Sequence, residues 1–211
     1  MRKVLVFSVL LAFFVFGCGK KEEAQTGQAP KGEAEEMVQT EPEEVTKPIV
    51  QEPIERSKNP HVIIETDYGN IELELFWDKT PKTAENFLRL TLSGFYDSLT
   101  FHRVIPGFVA QGGDPLGNGT GGPGYYIDFE KADTKHLRGS LGMARSQDPN
   151  SGGSQFYVCL KDLPQLDGNY VVFGKVVSGM DAVDKIAQVK TGPQDVPVEK
   201  VIMKRVYEKT E

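Results

Sequence analysis

No aromatic residue and no leucine occurs between Gly19 and Pro60. Such a stretch cannot build a core, because it offers too little apolar surface to offset the entropy of ordering it. Folding is confined to the chain beyond Pro60, and the 211 residues divide into three unlike parts. The 19–60 stretch holds ten Glu against six Lys and Arg, so its net charge is 6 − 10 = −4. Prolines at 30, 42, 48, 53 and 60 interrupt any helix. It reads as a solvated, disordered tether rather than an acidic docking tail, with a reach of roughly 35 Å as a flexible chain.

Ahead of the tether, Arg2 and Lys3 precede an apolar run from Val4 to Phe16 broken only by Ser8. That run suits the apolar core of a secretory signal and falls short of the ~20 residues needed to cross a bilayer. It ends in Val15-Phe16-Gly17-Cys18, which resembles a bacterial lipoprotein signal. The resemblance implies cleavage after Gly17, lipid on Cys18 and a chain exported and held at the cell envelope. The expected organisation is a signal peptide over 1–17, a lipidated tether over 18–60 and a folded domain over 61–211.

The third part, about 150 residues, is long enough for one core. His61–Asp67 and Asn70–Trp77 flank Tyr68-Gly69 as a hairpin, with Ile71, Leu73, Leu75 and Trp77 on one face of its second strand. Thr80-Pro81 opens a helix, Ala84, Phe87, Leu88 and Leu92 form its buried stripe, and Gly94 ends it. Short strands occupy 100–105, 108–111, 140–144, 155–160 and 170–177. A second helix runs over 180–189 with Met180, Val183, Ile186 and Ala187 inward, and a last strand runs over 198–207 with Val198, Ile202 and Val206 among its apolar residues. Many short strands, glycine turns and two helices predict a mainly β closed barrel or sandwich.

Composition and motifs exclude several chemistries. The formal net charge of −6 argues against nucleic-acid binding. Two cysteines, Cys18 and Cys159, make no disulfide framework, and Cys159 reads as a buried thiol. His61, His102 and His136 lack metal-ligand spacing, so no metal is expected. Gly117-Asn-Gly-Thr-Gly-Gly122 fits a dinucleotide pattern, but Pro123-Gly124 stands where a helix would have to open. Neither a nucleophile elbow nor a phosphate loop is present, and no cofactor is expected.

The segment Phe101-His-Arg-Val-Ile-Pro-Gly-Phe-Val-Ala-Gln-Gly-Gly-Asp114 resembles the signature of the cyclophilins, the peptidyl-prolyl cis/trans isomerases. Asn118–Gly122, Gly153–Val158 and Leu166–Gly174 agree with the same family in order and spacing. The resemblance spans about 62–207 and implies a closed eight-stranded antiparallel β-barrel capped by two α-helices. It implies an isomerase acting on proline-containing segments of unfolded or folding proteins. An X–Pro bond rotates without covalent chemistry, so the lack of a nucleophile fits. By resemblance, Arg103, Phe108 and Gln111 are catalytic: Arg103 faces the prolyl nitrogen, and Gln111 orients Arg103. Phe108, Val109, Tyr157 and Leu166 line the proline pocket. Gln155 and Tyr157 share the groove face while Phe156 enters the core. Ala144 and Arg145 offer backbone groups, so the side chain at 145 need not be fixed. Gly119 shapes the far wall, and Tyr170 stands where His is frequent.

Three further departures from the family pattern stand out. Val109 replaces a frequent Met. Tyr157 replaces a Phe and adds a hydroxyl that needs a partner. Gln165 replaces the Trp of cyclosporin-sensitive members, which implies weak cyclosporin binding. A monomer is expected. The alternative reading is a membrane-tethered binding module or holdase with little turnover; a structural envelope lipoprotein gives Arg103 no use.

Overall fold

A computed structural model describes residues 54–210. The expected signal, Cys18 and the tether up to residue 53 lie outside the described residues. The order is β1 (His61–Thr66), β2 (Gly69–Leu75), α1 (Pro81–Leu92), β3 (Arg103–Ile105), β4 (Val109–Gly112), β5 (Ser140–Met143), β6 (Phe156–Cys159), β7 (Val172–Ser178), α2 (Met180–Ala187) and β8 (Arg205–Glu208). Eight antiparallel strands and two α-helices agree with the count expected from the sequence.

The strands form one sheet in the order β3-β4-β6-β5-β7-β2-β1-β8. It is an open half-barrel and not the closed barrel expected. The end strands β3 and β8 have only three and four residues and share no ladder. The chain just before each of them meets instead, through an isolated Thr100–Ile202 bridge and bonds from Phe101 N to Val201 O and Met203 N to Leu99 O.

This seam also corrects the last strand. Val201, Met203 and Val206 are the buried residues there, spaced by two and then by three, whereas Val198 and Ile202 are exposed. The break in alternation confines the regular strand to 205–208.

Helix α1 begins and ends where the sequence places it, by a different device at its start. The Thr80 hydroxyl donates to Phe76 O, 3.1 Å away, and does not cap the helix. The Glu130 carboxylate does so from 47 residues on, accepting from Thr83 N at 2.9 Å and Lys82 N at 3.1 Å. An anion there satisfies open N–H groups and complements the helix dipole. At the other end Phe95 N donates to Leu90 O and Gly94 N to Thr91 O, a Schellman closure. The buried stripe passes through Ala84, Phe87, Leu88 and Thr91; Leu92, expected inward, is 56 % exposed at the helix edge.

Phe87 carries the helix into the core, with its ring 5.3 Å from those of Phe156 and Phe173 and 4.9 Å from Tyr96. Residues expected at the end of the tether also join this body. Ile54 packs against the core, Asn59 bonds Glu74 and Trp77 N, and Leu75 N donates to Pro60 O.

Candidate active site

The register of four neighbouring strands builds the site. Arg103 pairs with Gln111 across β3–β4, Gln111 with Tyr157 across β4–β6, and Tyr157 with Gly142 across β6–β5. Directly opposed residues share a face, so these four form one rung on the outer face. The adjoining positions Val104, Ala110, Val158 and Leu141 form a second rung on the other face and enter the core. Phe156 is fully buried in that core, as alternation predicts.

Pro106-Gly107 makes the β3–β4 turn, closed by Phe108 N donating to Ile105 O at 3.0 Å. Gly107 sits at φ 68°, the left-handed position such a turn requires after proline. The short turn leaves Phe108 beside Val109. These two pack with Tyr157, Cys159, Leu163, Ala144, Leu166 and Tyr170 as an apolar cluster separate from the main core. Burial pushes the Cys159 thiol up to about 12, so it stays a protonated packing residue.

A cavity of about 520 Å³ opens over the rung. Ten of the eleven expected groove residues line it: Arg103, Phe108, Val109, Gln111, Gly119, Ala144, Arg145, Tyr157, Leu166 and Tyr170. Gln155 lines an adjoining groove of about 570 Å³ that shares Gln111, Gly119, Ala144 and Arg145 with the first.

Polar contacts order the walls as a directed chain. Arg103 Nη1 donates to Gln111 Oε1 at 3.3 Å, and Gln111 Nε2 donates to Gln155 Oε1 at 3.0 Å. Gln155 Nε2 then donates to Gly119 O at 3.0 Å and Gly121 O at 2.9 Å. Each amide thus accepts from one neighbour and donates to the next. The far wall is held by buried Asp114, whose carboxylate accepts from the N–H groups of Leu116, Asn118 and Gly119. Burial raises the Asp114 pKa, but these backbone donors together with that of Gly121 outweigh it and hold the group below the usual carboxylate range.

The Arg145 side chain, for which only backbone groups were expected to matter, has partners of its own. It is fixed, with Nε and Nη2 donating to Asn169 O and Nη1 to Ser146 O and Gln147 O. Its guanidinium lies 4.7 Å over the Tyr170 ring. Five donors and a flat cation let arginine staple two loops at once, so the side chain braces the groove wall.

Sequence reasoning missed several residues at the site. His102, Gly117, Asn118, Gln194 and Val196 also line the cavity, and Asp195 Oδ2 stands 3.6 Å from Arg103 Nε. Gly192-Pro193 and Pro197 mark a turn in the sequence, but nothing local says that the turn lands beside Arg103. His136 and Asp167 were missed as partners of Tyr157. The hydroxyl added at 157 was the available signal, since a buried phenol must find a partner.

The sheet carries an arginine, a glutamine and a cavity with an apolar wall on its outer face, the arrangement the cyclophilin resemblance leads one to expect. Residues 61–208 match the family described as cyclophilin type peptidyl-prolyl cis-trans isomerase/CLD, and the chain belongs to it. The chain is 51 % identical over 138 residues to a peptidyl-prolyl cis-trans isomerase of Helicobacter pylori, covering 64 % of this chain and 84 % of that one. It is 49 % identical over 136 residues to one from Synechococcus elongatus, covering 61 % and 93 %. Among solved structures, it is similar to a Cryptosporidium parvum cyclophilin-type isomerase crystallised in the presence of the dipeptide Ala-Pro. The TM-score is 0.69 at 39 % identity, over 72 % of this chain and 99 % of that one. The protein is a cyclophilin-type peptidyl-prolyl cis-trans isomerase.

Proposed function

We propose that the cavity over the Arg103–Gln111–Tyr157 rung seats the proline of an extended peptide and that Arg103 drives its isomerisation. The observation that carries this is the juxtaposition of a cation held by Gln111 with an apolar wall of Phe108, Val109, Tyr157 and Leu166. The barrier to rotation is ~18–20 kcal/mol because the amide C–N bond has partial double-bond character. Twisting that bond returns a lone pair to the prolyl nitrogen. A fixed donor aimed there stabilises the twisted state more than either planar one, and only that difference accelerates the reaction. Arginine suits the task because it stays charged and planar. Ala144 and Arg145 offer backbone groups to the peptide, Gln155 and Gly119 bound the adjoining groove, and Tyr170 closes the Arg145 side. The Ala-Pro dipeptide used with the Cryptosporidium relative supports proline as the recognised residue.

The same reading puts this activity outside the cytoplasm. The signal over 1–17, lipid on Cys18 and an acidic tether ending by about residue 53 would hold a monomeric domain, which takes in residues 54–60 as well, at the membrane, within reach of exported chains as they fold. The apolar run before Cys18 and the composition of 19–60 support it.

Two measurements test the two halves. Titrating the protein with a blocked Ala-Pro peptide should perturb amide resonances of Phe108, Ala144 and Leu166, and Phe108→Ala should weaken binding. Perturbations confined to another face contradict the site. Cys18→Ser should release the protein from the membrane fraction; unchanged membrane association contradicts the lipid anchor.

A further inference from the structure

The hairpin from Gly192 to Pro197 is more tightly constructed than a connecting loop requires. It is closed by Gly192 N donating to Val196 O at 2.8 Å, by a Thr191–Pro197 bridge, and by Val198 N donating to Lys190 O at 2.8 Å. At its tip Gln194 and Asp195 both hold left-handed backbone, at φ 60° and 62°. Side chains with a Cβ disfavour that region, but two such residues in succession are what a type I′ hairpin turn requires, and Val196 N closes this one onto Pro193 O at 3.4 Å. The turn places side chains at the site: Gln194 and Val196 join the cavity wall, and the Asp195 carboxylate faces the Nε edge of Arg103 at 3.6 Å.

From this geometry we infer that Asp195 is a positioning residue for Arg103, and that the 192–197 hairpin is a built part of the active site. Arg103 emerges from the end of a three-residue edge strand, and its side chain is 39 % exposed. A long side chain so placed has rotamer freedom that one contact at Nη1 does not remove. Gln111 holds one edge of the guanidinium and Asp195 the other. The Asp195 contact is an ion pair beyond hydrogen-bond length, so together the two bias the plane rather than lock it, and donors on the remaining edge stay free for the prolyl nitrogen. Preorganisation of this kind acts on the twisted amide, since a donor already aimed costs no reorientation during rotation. Asp195 is itself 46 % exposed, so its hold on Arg103 weakens as salt screens the pair.

The inference rests on Arg103 as the catalytic cation, and its test separates the two. Isomerisation of an uncharged, blocked Ala-Pro peptide is followed by exchange NMR with the full chain at low and high salt. Asp195→Asn keeps the shape and the tolerance of left-handed backbone while removing the charge. Its kcat should fall about three- to tenfold with KM within twofold of wild type. Asp195→Glu should recover at least half of the loss. Wild-type kcat should decline between 0.05 and 1 M salt on the order of the Asn effect, while the Asn variant stays flat. Asp195→Gly, which relieves the backbone, should lose as much kcat as Asn without a lower melting point. Unchanged or raised kcat in the Asn variant overturns the inference, as does a loss confined to KM or a salt response shared by both proteins. If Arg103→Ala matches wild type, the catalytic reading of Arg103 fails instead.

Discussion

The Tyr157 hydroxyl lies 2.9 Å from Nε2 of His136, a ring with no exposed side-chain surface, whose Nδ1 lies 2.9 Å from the Asp167 carboxylate. An ionised carboxylate only accepts, so Nδ1 donates to Asp167, and in the neutral ring Nε2 accepts from the phenol. The backbone N–H of His136 and then its ring hold Asp167 below the usual carboxylate range, and burial pushes Tyr157 upward, so the phenol stays protonated. A wall of the cavity is thereby fixed from behind by His136 and Asp167, neither of which lines it.

Tyr157→Phe restores the side chain usual in the family, yet it strands Nε2 of His136 in the interior. A buried polar atom left without its partner costs about 1–3 kcal/mol. Urea denaturation should show that loss, while kcat/KM stays within about threefold because the ring remains. A stable variant with collapsed activity contradicts this assignment.

Gly142 is the end of the same rung. A Cβ built there falls 2.2 Å from Cζ of Tyr157 and 2.5 Å from its hydroxyl oxygen. The ring lies flat across the strand because nothing stands at 142. Gly142→Ala should cost about 1–3 kcal/mol by overpacking and cut kcat/KM by displacing the pocket wall. Combining it with Tyr157→Ala should remove most of the added penalty, and full additivity of the two changes speaks against the contact.

Acid should loosen the fold in two stages. Burial, aided by the Arg103 charge, holds the His102 imidazole below its usual range, against the opposing pull of Asp114. An unfolded histidine near pH 6.5 takes up its proton first, so this contribution is complete above about 6.5 and is lost as pH falls through the lowered folded value. Asp114 is depressed too. Its contribution is present above the unfolded carboxylate value of about 3.9 and lost as pH falls through its own folded value. Denaturation midpoints should decline below about pH 6.5 in wild type and less so in His102→Gln. The penalty of Asp114→Asn should shrink below about pH 4. Wild-type stability that is level from pH 6.5 to 5 contradicts the first stage.

Gln165 is exposed and directly precedes Leu166, which lines the cavity. A flexible amide offers neither the flat surface nor the indole N–H that tryptophan supplies to cyclosporin-sensitive members. Calorimetry should find weak cyclosporin binding, and Gln165→Trp should tighten it at least about tenfold, equivalent to 1.4 kcal/mol. Nanomolar binding by wild type contradicts the role given to position 165.

Where the sequence was legible, local rules sufficed. Alternation put Phe156 inward and Tyr157 outward, and the segment 101–114 carried Arg103, Phe108 and Gln111 together. What stayed hidden depends on remote pairs. Glu130 caps a helix 47 residues away, Asp195 meets Arg103 across the fold, and His136 meets Tyr157 while Asp167 holds His136 from a separate loop. Open closure of the sheet was hidden for the same reason, because the seam depends on how two irregular segments, 98–101 and 201–203, approach one another. The bracing contacts of Arg145 were hidden too, because its carbonyl partners, which no side-chain pattern marks, decide its conformation.

The most direct test of the account is kcat/KM for a blocked Ala-Pro peptide with wild type and Arg103→Ala, after both are shown to melt alike. Loss of one preorganised donor typically costs about 10²–10³ in rate. The account predicts a fall of at least about a hundredfold, with peptide affinity little changed. A variant within about threefold of wild type would contradict it, leaving the groove as a binding surface whose catalysis does not depend on Arg103.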